Sequence, residues 1–145
     1  MAEQTEASIE IKASRAAVMA VIADLPSYPQ WSDGITSVSV LSDDPVTARP
    51  AEAEFRLESG PIKDSYVLKY EWDDDSSVSW SLVRAEMLKE MNGSYTLTEN
   101  VDGGTTVVYR LAVDVKIPMI GMLKRKAERV IVDTALKGLK KRVEG

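Results

Sequence analysis

The 145-residue chain contains no cysteine and no histidine. Without cysteine there is no disulfide scaffold, no thiol nucleophile and no zinc–thiolate site. Without histidine the commonest general base and the commonest metal ligand near neutral pH disappear together. Phenylalanine is nearly missing as well, with one copy against five Tyr and three Trp. No apolar run approaches the roughly 18–20 residues of a membrane span. The opening stretch MAEQTEASIEIKAS lacks the basic region and apolar core of a signal peptide, so a cytoplasmic location is expected. No GxSxG elbow, P-loop or dinucleotide fingerprint is present, and the Gly103-Gly104 pair is too short for a phosphate loop. These absences leave no residue to name as catalytic, no cofactor to expect and no metal site.

What is present suits an ordinary soluble domain. Hydrophobic residues make up 44% and charged residues 28%. The length favours one domain over residues 1–145 with a core that needs no metal or disulfide. The net charge of −5 is unevenly spread. Residues 122–145 hold 8 Lys+Arg against 3 Asp+Glu, while the remainder holds 10 against 20. A basic helix packed on an acidic sheet, its charges in solvent, accounts for this. The alternative use of that face is a weak contact with an anionic membrane or macromolecule. Nucleic acid is disfavoured, because the rest of the chain is acidic and no aromatic residues interleave with the basic ones.

Periodicity orders the chain. Residues 5–12 alternate weakly and read as a first strand. Ser14 caps a short helix over 15–22 with Val18, Val21 and Ile22 on one side. Leu25-Pro26-Ser27 breaks it, and a second short helical turn covers 27–31. Asp33-Gly34 turns the chain. Strands follow over 35–41, 51–57, 65–72, 78–83, 91–98 and 107–117, separated by turn signals such as Ser59-Gly60-Pro61 and Asp102-Gly103-Gly104. The last is the clearest: Val107, Tyr109, Leu111, Val113, Val115 and Ile117 point one way and Arg110, Asp114 and Lys116 the other. Alternation of this kind means one buried face and one wet face. Pro118 ends that strand. Residues 120–143 then form a long amphipathic helix whose predicted inward stripe is Leu123, Ala127, Val130, Ile131, Thr134, Ala135 and Leu139. A curved antiparallel sheet needs cover for its apolar face, and a terminal helix supplies it.

By alternation Tyr66, Tyr70, Trp72, Trp80, Tyr95 and Tyr109 mostly share the helix-facing side of that sheet. A purely structural core draws more on Leu, Ile, Val and Phe. Tyr and Trp carry a polar group that needs a partner when buried. A space lined by them offers ring surface and a few hydrogen bonds, as ligand pockets do. Trp31 sits at the edge, either as a gate or as an anchor for its short helix.

The order strand, two short helices, six strands and a long helix carries several local signals. The segment 17–24 after the first strand is followed by Tyr28-Pro29-Gln30-Trp31. Gly93-Ser94-Tyr95-Thr96-Leu97 precedes Gly104-Thr105-Thr106-Val107-Val108-Tyr109, and Ile117-Pro118 leads into a helix with Leu136-Lys137-Gly138-Leu139-Lys140. In this order they resemble the START-like superfamily, also called SRPBCC, which includes the birch-pollen-allergen fold and the polyketide cyclase/dehydrase-like proteins. The likeness covers nearly the whole chain. It implies an α+β helix-grip fold: a seven-stranded antiparallel curved sheet wrapped around a long C-terminal helix, with two short helices after strand 1. It also implies a hydrophobic or amphipathic ligand, of lipid, sterol or polyketide type, held between sheet and helix. The ligand-cavity residues expected are Trp31, Phe55, Tyr66, Leu68, Tyr70, Trp80, Tyr95, Tyr109, Met122 and Leu123. The alternative is a cyclase/dehydratase-like enzyme. Because the superfamily hosts several functions on one fold, the fold alone does not choose.

Overall fold

The computed structural model describes residues 4–32, 34–59, 62–116 and 121–145, and the side chains of these except 59, 62 and 121–124. The elements run β1 (Thr5–Ile11), α1 (Arg15–Ala23), a 3₁₀ turn (Leu25–Gln30), β2 (Ile35–Asp43), β3 (Pro50–Ser59), β4 (Ile62–Asp73), β5 (Ser77–Ala85), β6 (Leu88–Glu99), β7 (Thr105–Val115) and α2 (Gly121–Glu144). The strands form one seven-stranded antiparallel sheet in the order β1-β7-β6-β5-β4-β3-β2. First and second strands therefore lie at opposite edges, and α1 with the 3₁₀ turn carries the chain from one edge to the other. This is the helix-grip fold. The turn at 60–61, Asp33, and the strand end and proline at 117–118 lie outside the described residues.

Local chemistry sets the short elements. Ser14 Oγ accepts the Ala17 N–H at 3.2 Å, supplying one of the donors that a helix start leaves without a partner. Val18, Met19 and Ile22 of α1 are buried, whereas Val21 is only half-buried. Pro26 and Pro29 restrict the next segment to a 3₁₀ turn, where Tyr28 O accepts the Trp31 N–H at 3.0 Å. Register shifts in β2, in β4 at Val67/Leu68 and in β6 near its start add the local bends that curve a sheet.

The pairing of β5 with β6 is short. It covers Ser77–Trp80 against Gly93–Thr96 and no more, although both strands continue past that point. Asp64 of β4 holds the connection where they part. Its carboxylate accepts backbone N–H groups from Glu86, Met87 and Leu88 at 3.1, 3.1 and 2.9 Å. Three charge-assisted bonds explain how a carboxylate tolerates near-complete burial.

Helix α2 lies across β1 and β7, and here the sequence expectation needs correction. Ala127, Val130, Ile131 and Thr134 are exposed, with Val130 at 58%. The inward face is Glu128, Val132, Leu136 and Leu139, with Ala135 and Val143 beside it. Both sets satisfy helical spacing, so periodicity alone could not separate them. Glu128 decides: its Oε1 accepts the Thr5 hydroxyl at 2.7 Å and its Oε2 accepts the Val113 N–H at 2.7 Å. Val113 lies two residues past the last described β1–β7 pair, Thr5 with Leu111. Glu128 thus pins helix, first strand and last strand together. Arg129 and Lys140 add bonds to the Glu6 and Glu10 carbonyls on the same edge, at 3.3 and 2.8 Å. Among the described residues no helix is long and apolar enough to cross a membrane.

Candidate functional site

The core under α2 has two parts of different character. Around α1 it is aliphatic and sealed: Val18, Met19, Ile22, Leu25, Leu111, Val132 and Leu139 all show 0% exposure. Across β3 to β7 it is aromatic and less tightly closed, with Tyr66, Tyr70, Trp80, Tyr95 and Tyr109 each retaining 4–9% of their surface. Alternation places these rings on one face of neighbouring strands, where cross-strand partners meet. Tyr70 pairs with Trp80, and Tyr95 with Tyr109.

All nine aromatic residues join one continuous series of contacts. Trp31 meets Tyr28 edge-on at 4.8 Å, and Tyr28 leads to Phe55 at 6.2 Å. Phe55 stacks on Tyr66 at 5.4 Å and tilts against Tyr70 at 6.4 Å. Tyr70 stacks on Trp72 and tilts against Trp80, and Trp80 contacts Tyr95 and Tyr109, which lie 4.5 Å apart. Offset and edge contacts of this sort stabilise beyond simple burial. The rings touch, so a guest entering this space has to part them.

The structure brings together eight of the ten residues expected at the site. Phe55, Tyr66, Leu68, Tyr70, Trp80, Tyr95 and Tyr109 are buried in one cluster, and Trp31 packs at its edge. The side chains of Met122 and Leu123 lie outside the described set. Two rings belong to the series that the expected site omitted. Tyr28 is buried against Phe55. Its turn has no period to reveal a face, although Tyr28-Pro29-Gln30-Trp31 marked the segment. Trp72 closes the far end, with its Nε1 donating to the Pro50 carbonyl at 2.6 Å and the Arg49 guanidinium 5.4 Å from its ring centre.

The polar ends of these rings set the chemistry. The Tyr28 hydroxyl donates to the Ile22 carbonyl at 2.5 Å. The hydroxyls of Tyr66, Tyr70, Tyr95 and Tyr109 make no hydrogen bond with any described residue. The buried polar residues Asp64, Glu128 and Thr105 are matched: Asp64 by three N–H groups, Glu128 by two donors, and the Thr105 hydroxyl by the Ala13 carbonyl at 2.8 Å.

Burial pushes all five tyrosines well above the ordinary phenol range, and for Tyr28, Tyr66, Tyr70 and Tyr95 neighbouring phenols push further. Tyr70 feels Tyr66, Tyr95 and Tyr109, and Tyr95 feels Tyr109 and Tyr28. Each stays protonated near neutral pH and acts as a hydrogen-bond donor.

Trp31 links this interior to the surface. Its ring touches Tyr28 on one side and lines a shallow cleft of about 340 Å³ on the other, shared with Ile35, Thr36 and Glu58. Its indole N–H is buried and has no partner. Gly138 of α2 lets this segment come close, since a Cβ there would stand 2.5 Å from the Trp31 carbonyl oxygen. Among the described residues no three Asp or Glu side chains come together as a metal site would require.

The family described as polyketide cyclase/dehydrase and lipid transport matches residues 2–144. No curated protein matches the chain by sequence. Among solved structures, a START superfamily protein from Mycobacterium smegmatis aligns with a TM-score of 0.91 at 19% identity, covering 99% of this chain and 98% of the other. The Zhui aromatase/cyclase from Streptomyces sp. R1128 aligns at 0.75 with 13% identity, over 97% and 93%. A conserved protein from Geobacillus kaustophilus aligns at 0.79 with 16% identity, over 96% and 93%. At these identities the likeness to the solved structures concerns the fold.

Proposed function

The chain belongs to the polyketide cyclase/dehydrase and lipid transport family, within the START-like superfamily, and from that premise we propose that it binds an amphipathic small molecule by enclosing it between the concave sheet face and α2. The observation that carries this reading is the set of tyrosines on β4, β6 and β7 that share the aromatic interior and whose hydroxyls hydrogen-bond to no described residue. A few hydrogen-bond donors set among ring faces are the lining that small-molecule sites use. Apolar ring faces around them would supply the affinity, at about 25 cal/mol per Å² of apolar surface removed from water, less the cost of parting the rings. Trp31, with its unpartnered indole N–H and its place between cleft and interior, is the side chain that would move to admit the guest.

Phenols whose ionisation is suppressed donate hydrogen bonds and are poor general bases near neutral pH. Native mass spectrometry of the full chain purified from its own host tests the reading. A mass addition that survives buffer exchange and is lost on denaturation is the expected result. Protein that flies only at its sequence mass in every preparation, with no gain from added hydrophobic compounds, would sink it.

One observation favours a second contact. The exposed stripe of Ala127, Val130, Ile131 and Thr134 on α2 is bordered by exposed Lys126, Lys137 and Lys141. Four, seven, eight and eleven residues before Gly138, the stripe shares the helix face that meets Trp31. An apolar stripe with a basic border suits the surface of an anionic bilayer. Salt-sensitive retention on vesicles containing phosphatidylserine, absent on pure phosphatidylcholine, is expected. Equal behaviour on both would remove this reading and leave the first intact.

A further inference from the structure

Independently of what the interior holds, we infer that β2 is an association edge, where a second copy of the chain adds its own β2 antiparallel and continues the seven-stranded sheet across a twofold axis. The contrast between the two edges of the sheet leads there.

β1 and β2 end the strand order, so each has one side without a strand. Unpaired backbone groups on such an edge invite another chain, and proteins blunt them with charges, prolines, bulges or a covering element. The β1 edge has that protection. It carries Glu6 and Glu10, α2 lies across it, and Arg129 and Lys140 of α2 bond to the Glu6 and Glu10 carbonyls at 3.3 and 2.8 Å. The β2 edge has little of it. Its sequence, ITSVSVLSD, holds no proline and no charge before Asp43. It packs on β3 and on the 3₁₀ turn, yet Ser37, Ser39, Leu41 and Ser42 are exposed. Among the described residues no side chain bonds to its backbone.

The side chains also show a missing neighbour. Val38 and Val40 are the register partners of Phe55 and Ala53 on β3 and pack against the core. Phe55 and Ala53 are 2% and 0% exposed, whereas Val38 and Val40 are only half-buried. One strand further out, the apolar layer stops without cover.

A second β2 supplies that cover. Register shifts between Ile35 and Ser37 and beyond Val40 leave residues 37–40 in regular pairing with β3. A twofold axis at Ser39 fits this stretch: Ser39 faces Ser39, and Val38 of each copy faces Val40 of the other. Uncharged strands meet there without repulsion. The same register sets Asp43 of one copy opposite Ile35 of the other. Arg56, the β3 partner of Ser37, then lies roughly two strand spacings, about 10 Å, from that Asp43. Arg56 and Asp43 are both exposed, and neither forms an ion pair among the described residues. The axis supplies this complementary pair twice. The bulges at either side keep the pairing short, so the dimer is a weak one that grows with concentration.

The chain has no cysteine, so one introduced thiol reports on the contact. Sedimentation of the full chain over about a hundredfold range of concentration is expected to show monomer giving way to dimer. Ser39→Cys should form a disulfide-linked dimer under mild oxidation, because residues facing each other across antiparallel strands stand about 4.5–5.5 Å apart at Cα, within disulfide range. Ser8→Cys, exposed on the capped β1 edge, should stay monomeric. Arg56→Asp should weaken the dimer several-fold, and Asp43→Arg in the same chain should restore it, with unchanged circular dichroism throughout. Monomer at every concentration, with Ser39→Cys crosslinking no faster than Ser8→Cys, would overturn the inference. A dimer indifferent to Arg56→Asp, with the same slow crosslinking, would place the contact elsewhere and overturn it as well.

Discussion

Gly93 lies directly beneath the indole of Trp80. The two residues are register partners across β5 and β6, and a Cβ on Gly93 would stand 2.5 Å from Trp80 Cζ2 and 2.7 Å from Cε2. Theirs is the last pair before the two strands separate. The glycine gives the ring a place to lie against the neighbouring strand, where it meets Tyr95 and Tyr109. Gly93→Ala forces the ring to shift, and overpacking of this kind costs about 1–3 kcal/mol. A lower urea midpoint and altered tryptophan emission are expected. Unchanged or increased stability would show that the ring has room to give.

Glu128 joins α2 to β1 and β7 through two short bonds. Glu128→Ala leaves the Val113 N–H and the Thr5 hydroxyl without their acceptor, and about 3 kcal/mol of stability is expected to go. Glu128→Gln keeps acceptor capacity and should cost about half as much. Thr5→Ala combined with Glu128→Ala should be less damaging than the sum, because the two side chains share one bond. Equilibrium denaturation of the set checks this, and strict additivity would contradict the contact.

The phase of α2 is open to a direct comparison. Val132 is fully buried and Val130 is exposed, two positions apart on the same helix. Val132→Ala removes buried methyl groups and leaves a gap, for a loss of about 2 kcal/mol. Val130→Ala should change stability by no more than about 0.5 kcal/mol. Reversed effects would put the helix in the rotation that periodicity suggested.

Alkaline stability follows from the tyrosines. Burial raises all five above the ordinary phenol value near 10. Above that pH the unfolded chain releases protons that the folded chain keeps, so the unfolded state binds fewer and stability falls as pH rises. The contribution is complete below about pH 10 and declines by up to about 1.4 kcal/mol per pH unit for each phenol above it. Tyrosinate absorbance should therefore appear together with loss of circular dichroism, in one cooperative step. A smooth titration near pH 10 by a protein that stays folded would contradict the burial.

The strands were legible because their signal is local. A period of two names the buried face without knowledge of the partner strand, and Tyr66, Tyr70, Trp80, Tyr95 and Tyr109 fell on one face as alternation required. Tyr28 escaped because a 3₁₀ turn offers no period. The splitting of β5 from β6 escaped because it depends on Asp64, some twenty residues from the backbone groups that it holds.

Order of elements, the wet and dry faces of the sheet and the want of ordinary catalytic groups are properties of residue type and spacing, so the sequence by itself determined them. The rotation of α2 was read wrongly there, with Val130 and Ile131 turned inward, because the helix carries two apolar stripes and either satisfies helical spacing. Only the assembled molecule chose, through a carboxylate reaching two strands that the chain places more than a hundred residues apart. The same holds for the tyrosine hydroxyls. Residue type says that each can donate a hydrogen bond, and only packing in three dimensions gathers four of them in the aromatic interior with no acceptor among the described residues.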